Sequence, residues 1–386
     1  MGEMRLLSIC WIVGTLALLS CSHPERPGIK IGLNVELTGE NPAIGTSCKN
    51  AASLFVEQIN ARGGCQVRDG KLPFRLIIGD NGGKPDRAAS VAQKLIAQDE
   101  VCAMVGPNMS ACAIPASEIA ESLHCIMISP WSTNPKTTRT ISGDPKKYVF
   151  RTCFTDPFEI SIIAKFALNY LKAKRAAVFY DVASESPNTQ AGLFREAFEK
   201  GGGTIVAYET YTTGDRDFSA QLTKIKASQP DLIFLPAYYN DVSLITQQAR
   251  QLGIQQRFLG SDAWSTPQII SLAGKNIEGS YFCNHYSTQI PTPVAQKFVR
   301  AYKAKFGYEP DDVAALTYDT FHLLAKAIQT AGRLDRSAIR DAFAQIGHQG
   351  VTGSIQFKPG SGDPLKSAVM LQIQNGKFVW ISNAEP

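Results

Sequence analysis

Short apolar runs alternate with longer amphipathic stretches along most of this chain. Residues 29–35 (IKIGLNV) alternate apolar and small or polar positions and predict a strand. Residues 47–60 carry apolar positions at helical spacing and stop before Gly63 and Gly64, a helix-stop signal. A strand over 74–78 follows, then a helix over 85–98 with Pro85 in its first turn. A strand over 101–105, a helix over 109–123 and a strand over 125–128 complete the series. Strand and helix in strict alternation predict a parallel sheet covered by helices on both faces.

The pattern then restarts. Helices are expected over 158–171, 191–200, 218–227 and 242–252, with strands over 176–180, 204–206, 232–235 and 258–259 between them. Residues 280–283 read as a crossing strand. Long helices over 294–305, 313–330 and 336–344 come next. The tail, over 354–357, 368–373 and 377–381, reads as β-ribbon. Two such blocks in 386 residues suit two domains of ordinary size.

The first twenty residues do not belong to this pattern. Arg5 precedes a run over 6–19 that is apolar apart from Ser8 and Thr15. The run has the length of a signal-peptide core and is short for a membrane span. It ends in Leu18-Leu19-Ser20-Cys21, which resembles the bacterial lipobox. The resemblance implies cleavage of a signal peptide over 1–20, diacylglycerol on the Cys21 sulfur and acylation of the new amine. Two or three acyl chains anchor stably where one is marginal. Residues 21–28, polar and Pro-containing, would then form a lipidated tether.

Composition excludes several function classes. Net charge is +5, but the basic residues are dispersed; the closest run, 172–175, reads as a solvated helix end, so nucleic acid is not an expected partner. Of nine cysteines, Cys10 leaves with the signal and Cys21 would carry lipid. The remaining seven are an odd number, so at least one thiol stays unpaired within the chain. Several lie in strand-like apolar runs, where a buried small hydrophobe is the simpler role. There is no CxxC, no metal-ligand spacing and only five scattered histidines, so no metal or cofactor is expected. The chain lacks G-x-S-x-G, P-loop, G-x-G-x-x-G and H-E-x-x-H motifs. An enzyme is therefore not the expected class.

Gly106-Pro107-Asn108-Met109-Ser110, followed by Ile128-Ser129-Pro130 and Thr133-Asn134-Pro135, resembles the type I periplasmic binding proteins, and more narrowly the leucine/isoleucine/valine-binding family of ABC importers. Further pieces in the same order carry the likeness: Leu37-Thr38-Gly39, Glu57-Gln58-Ile59-Asn60, Arg151-Thr152-Cys153-Phe154, Gly260-Ser261-Asp262, Tyr318-Asp319 and Thr352-Gly353-Ser354. It covers about 29–381. The resemblance implies an α/β fold of two Rossmann-like lobes with parallel sheets, joined by three crossovers that act as a hinge. Lobe one would be 29–148 plus 284–351, and lobe two 149–283 plus 352–386. It also implies an amino-acid-like ligand in the cleft and ABC permease subunits as partners. A sensor presenting the same ligand to a signalling receptor is the alternative.

Candidate ligand residues follow from strand ends and from the family positions. Ser110 opens the helix over 109–123, whose N-terminus offers free N–H groups and partial positive charge to a carboxylate; it could instead cap its own helix. The loop Trp131-Ser132-Thr133 should lie beside it, and the resemblance implies contacts from this loop to the ligand carboxylate and ammonium. Trp131 departs from the family, where a small residue is usual; its ring could narrow the pocket or pack against the lobe. Asp262 matches the family's acidic position and would meet the ammonium. Tyr238, at the carboxyl end of a strand, matches an aromatic cleft wall. The stretch 185–192 is longer and more polar than in the family, which makes one side of the pocket more hydrophilic.

Overall fold

The computed structural model describes residue 1 and residues 28–384. The expected signal peptide beyond Met1, Cys21 and nearly all of the tether lie outside the described residues. Among the described residues, no helix is long and apolar enough to cross a membrane.

Two separate sheets organise the chain. The first has five parallel strands in the spatial order Phe74–Asp80, Ile29–Val35, Ala103–Val105, Ile126–Ser129 and Val149–Arg151. Ile29–Val35 lies inside this sheet with only Lys30 exposed, which fits a strand covered on both faces. The second sheet has seven strands, in the order Lys377–Ala384, Ala368–Gln374, Tyr281–Asn284, Arg257–Gly260, Leu232–Phe234, Arg175–Asp181 and Thr204–Tyr211. Its last five members are parallel to one another. Its first two form an antiparallel hairpin added at Tyr281–Asn284.

Each sheet carries its own core. Helices Pro42–Ala61, Pro293–Phe306, Asp312–Ala331 and Arg336–Gln345 bury Phe55, Phe298, Leu323, Ile328 and Phe343 against the first sheet. The opposite face is closed by Pro85–Ala97 and Ser110–Ser122 through Ala92, Leu95 and Ala116. Phe218, Ile245 and Trp264 fill one face of the second sheet, and Ile163, Phe194 and Phe234 the other.

The chain passes between the sheets three times, and the junctions sit a few residues from the expected ones. Val149–Arg151 pairs with Ile126–Ser129, so the first sheet runs past residue 148. Asn284 pairs with Val369 in the second sheet. Gly353–Phe357 is not part of the second sheet's ribbon. It pairs with His348–Gly350 and Pro364–Leu365, and Ile355 and Phe357 pack in the first core. In each case strand pairing carries the chain beyond the point where sequence pattern changes.

The three passages lie together. Arg151 on the first bonds Asp363 on the third through Nε, at 2.7 Å, and its backbone N–H donates to Gly362 O. Phe154 on the first stacks on His285 of the second, with ring centroids 3.6 Å apart.

Two helices begin earlier than periodicity alone suggests. The helix expected over 191–200 is Glu185–Lys200, so the polar stretch 185–192 forms its first turns. The helix expected over 158–171 starts at Asp156 and passes into a wider π turn over Phe166–Tyr170. The seven described cysteines are all buried and unpaired.

Candidate ligand-binding site

A small cavity lies between the two sheets. It is lined from the first lobe by Asn108, Ser110, Trp131 and Thr133, and from the second by Ser186, Pro187, Gln190, Tyr238, Ser261 and Asp262. Ala237 and Ala263 complete the lining. Every strand feeding the cavity does so from its carboxyl end, as expected for open parallel sheets.

Gly106 makes the first turn possible. Its φ is +85°, and a Cβ there would lie 2.2 Å from the Asn34 carbonyl oxygen. The chain thus folds back at the end of Ala103–Val105 and enters the helix Ser110–Ser122 directly over the cavity. The buried Glu36 holds this turn. Its Oε1 accepts from the N–H groups of Asn108 (3.1 Å) and Met109 (3.2 Å), and its Oε2 from Asn108 Nδ2 (3.0 Å).

Ser110 does not cap its helix, because the capping position is Met109. Its hydroxyl oxygen accepts from Ser132 Oγ (3.0 Å) and from the Asn134 N–H (3.4 Å). With both lone pairs occupied, its own proton remains for a group in the cavity. Ser132 is a correction to the sequence expectation: its side chain does not line the cavity. Its Oγ lies behind Ser110, 2.6 Å from Thr137 Oγ1, and its carbonyl accepts from Arg151 Nη1 and from the Cys153 thiol. Arg151, fully buried, also donates through Nη2 to Asn134 O (2.8 Å) and Thr138 Oγ1 (2.9 Å). One guanidinium thereby fixes the loop that carries Thr133.

The second lobe contributes acid. Asp262 follows the strand Arg257–Gly260, and its N–H donates to Glu159 Oε1 at 2.7 Å. Gln190 Nε2 bridges Asp156 Oδ1 (2.9 Å) and Glu159 Oε2 (3.1 Å). Asp156, Glu159, Asp262 and Asp312 are all buried. Burial pushes Asp262 up to about 8 and Asp156 up to about 6; Glu159 and Asp312 also rise well above the usual carboxylate range, each raised further by neighbouring acid. No lysine or arginine lines the cavity among the described residues.

Asp262 Oδ2 lies 3.0 Å from His285 Nε2, and burial holds that imidazole neutral by driving its pKa well below the ordinary value. Asp262, His285 and Asp312 offer ligand atoms within 4.8 Å of one another, a spacing that could hold a metal ion. Asp312 is already engaged at both oxygens, by Trp131 Nε1 at 3.0 Å and by the Ser265 hydroxyl. The trio therefore reads as a hydrogen-bonded wall.

Trp131 is 4% exposed and lines the cavity, its ring centroid 6.3 Å from that of Tyr238 across the cleft. Five of the six expected side chains thus meet in one cavity. Asn108 and Ser261 also line it; the sequence placed both inside family-like motifs but not among the expected ligand residues. Ser186 and Gln190 come from the stretch whose polarity did stand out.

The chain matches the model of the family described as periplasmic binding protein over residues 28–377. It is 29% identical over 349 residues to Leu/Ile/Val-binding protein homolog 3 of Brucella melitensis, covering 90% of each chain. It is 31% identical over 322 residues to an amino acid binding protein of Pseudomonas aeruginosa, covering 83% of each. Among solved structures, it is similar to the branched-chain amino acid transporter substrate binding protein LivJ of Streptococcus pneumoniae in complex with isoleucine. That match has 35% identity and a TM-score of 0.86, and covers 93% of this chain and all of the other (100%). A leucine binding protein of Thermotoga maritima gives 33% identity and a TM-score of 0.86, covering 93% and 99%.

Proposed function

The chain belongs to the periplasmic binding protein family, and on that premise we propose that it is the substrate-binding lipoprotein of an ABC importer, anchored through Cys21, which captures a small amino acid between its lobes. One observation carries the ligand class. A helix N-terminus with a free hydroxyl proton and the buried carboxyl of Asp262 line the same cavity, and among the described residues no cationic side chain lines it. An amphoteric solute satisfies both ends. Its carboxylate meets the first-turn N–H groups of Ser110–Ser122 and the hydroxyls of Ser110 and Thr133. Its ammonium meets Asp262, which otherwise stays buried without a cationic partner among the described residues and holds a proton.

Tyr238 and Trp131 close the cavity from opposite lobes, so binding favours the arrangement in which the lobes meet. The permease would read that arrangement. The names of the relatives, Leu/Ile/Val-binding and amino acid binding, support the class. Calorimetry with an amino acid, the amine lacking its carboxylate and the acid lacking its amine tests the reading. Only the zwitterion should bind tightly. If either truncated compound binds as tightly, the two-ended reading is wrong.

A further inference from the structure

Two polar atoms on residues lining the cavity have no hydrogen-bond partner among the described residues: Asn108 Oδ1 and Ser261 Oγ. Both residues are fully buried. Buried polar atoms are nearly always hydrogen-bonded, so two orphans on lining residues of one small cavity point to a ligand group as the missing partner.

The orientation of Asn108 is fixed. Its Nδ2 and backbone N–H both donate to Glu36, so turning the amide over would set its oxygen against that carboxyl. Its free atom is therefore an acceptor, and only a hydrogen-bond donor satisfies it. The ligand carboxylate has no proton to give. The ammonium is drawn to the opposite lobe by Asp262, and Asn108 stands on the first-lobe turn just before Ser110. The variable group of the amino acid is the part left for Asn108. Ser261 can accept from the same group or donate to it.

Resting on the amino-acid reading above, we propose that the ligand carries a hydroxyl or amide on a short side chain, which donates to Asn108 Oδ1 and meets Ser261 Oγ. The class is small polar amino acids of the threonine, serine and asparagine kind, in preference to branched aliphatic ones. A valine or leucine side chain would leave both orphans buried and unpaired. An unsatisfied buried acceptor of this kind lowers affinity by on the order of ten- to a hundredfold. Sites built to bond a hydroxyl reject the analogue lacking it more strongly than apolar pockets reject one that has it.

The test compares isosteric pairs by calorimetry on the purified chain: threonine against valine, and asparagine against leucine. Threonine should bind at least tenfold tighter than valine, and asparagine tighter than leucine. Asn108→Leu should bring the threonine-to-valine ratio to one or below, and Ser261→Ala should lower it partway. Asp262→Asn should weaken all four and leave the ratios in place. Equal or tighter binding of valine by the unmodified chain overturns the proposal without any variant having to fold. Equal weakening of threonine and valine by Asn108→Leu, in a variant that melts cooperatively, overturns the assignment to the side chain. If no amino acid binds, the amino-acid reading fails and this inference falls with it.

Discussion

The indole N–H of Trp131 donates to Asp312 Oδ2 at 3.0 Å, while the Ser265 hydroxyl donates to the other oxygen of the same carboxyl. Asp312 opens a helix of the first core, and Ser265 lies beyond a strand of the second sheet. One carboxyl therefore fixes the ring that walls the cavity and also reaches across to the other lobe. The bulky residue in the Trp131 loop is accommodated because Asp312 stands opposite its only polar atom.

Trp131→Phe keeps a ring in the wall and removes the N–H. Asp312 then lacks a donor, and the ligand-free protein should lose about 1–3 kcal/mol. Trp131→Ala should lose more, about 3–5 kcal/mol, and should also bind larger amino acids better relative to small ones. Melting curves and affinities for alanine and leucine separate the effects. A ratio unchanged in Trp131→Ala would mean that the ring does not bound the side-chain space.

Asp262 sets a pH dependence. Its carboxyl holds a proton up to about 8 in the folded chain, against 3.8 for the ordinary group. Between those values the folded state binds the extra proton, so its contribution is present below about 3.8 and is lost as pH rises towards 8. The ligand-free protein should lose up to about 1.4 kcal/mol per pH unit from this group across that window. Asp262→Asn should flatten the profile. Parallel profiles from pH 5 to 8 for the two proteins would contradict it.

The same substitution should weaken an amino-acid ligand by about 2–5 kcal/mol, because the ammonium is left buried without its partner. Above pH 8 the full loss should be visible. Below it, binding to the unmodified protein should release a proton, which calorimetry in buffers of different ionisation enthalpy detects. No proton release at pH 6 would separate Asp262 from the ammonium.

Arg151→Met removes the guanidinium that holds Ser132 O, Asn134 O and Thr138 Oγ1 and leaves Asp363 without its close cationic partner. Breaking such a buried pair typically costs about 3–5 kcal/mol. Affinity should fall as well, since the Thr133 loop loses its brace. A variant with the original melting temperature and affinity would show that the loop holds its shape without it.

For the N-terminus, Cys21→Ser in a bacterial host should abolish incorporation of labelled fatty acid and leave precursor or released protein. Continued labelling would place the anchor elsewhere.

The fold was legible because strand and helix patterns alternate through most of 29–283, and short strands such as Ile29–Val35 keep apolar residues at every second position. The cavity was legible where local pattern marks a strand end, as at Ser110 and Asp262. Ser132 could not be separated from its neighbours, because which way each loop side chain turns depends on Arg151, Ser110 and Thr137. Glu36, Asp156, Glu159 and Asp312 read in sequence as ordinary polar positions. Their burial arises only when segments far apart in the chain converge, which no local period reports.

The side-by-side passage of the chain between the sheets has a mechanical meaning. Arg151 is clamped to Asp363, and Phe154 stacks on His285, so the connections are tied together like three pins along one edge of a door. A single connector would let the lobes swivel, shear and twist. Three abreast leave one easy rotation. A solute arriving in the mouth does not have to choose among many relative placements of the lobes. Little orientational freedom of the lobes would be left to freeze on capture, so the proposed binding would draw its strength from the contacts themselves.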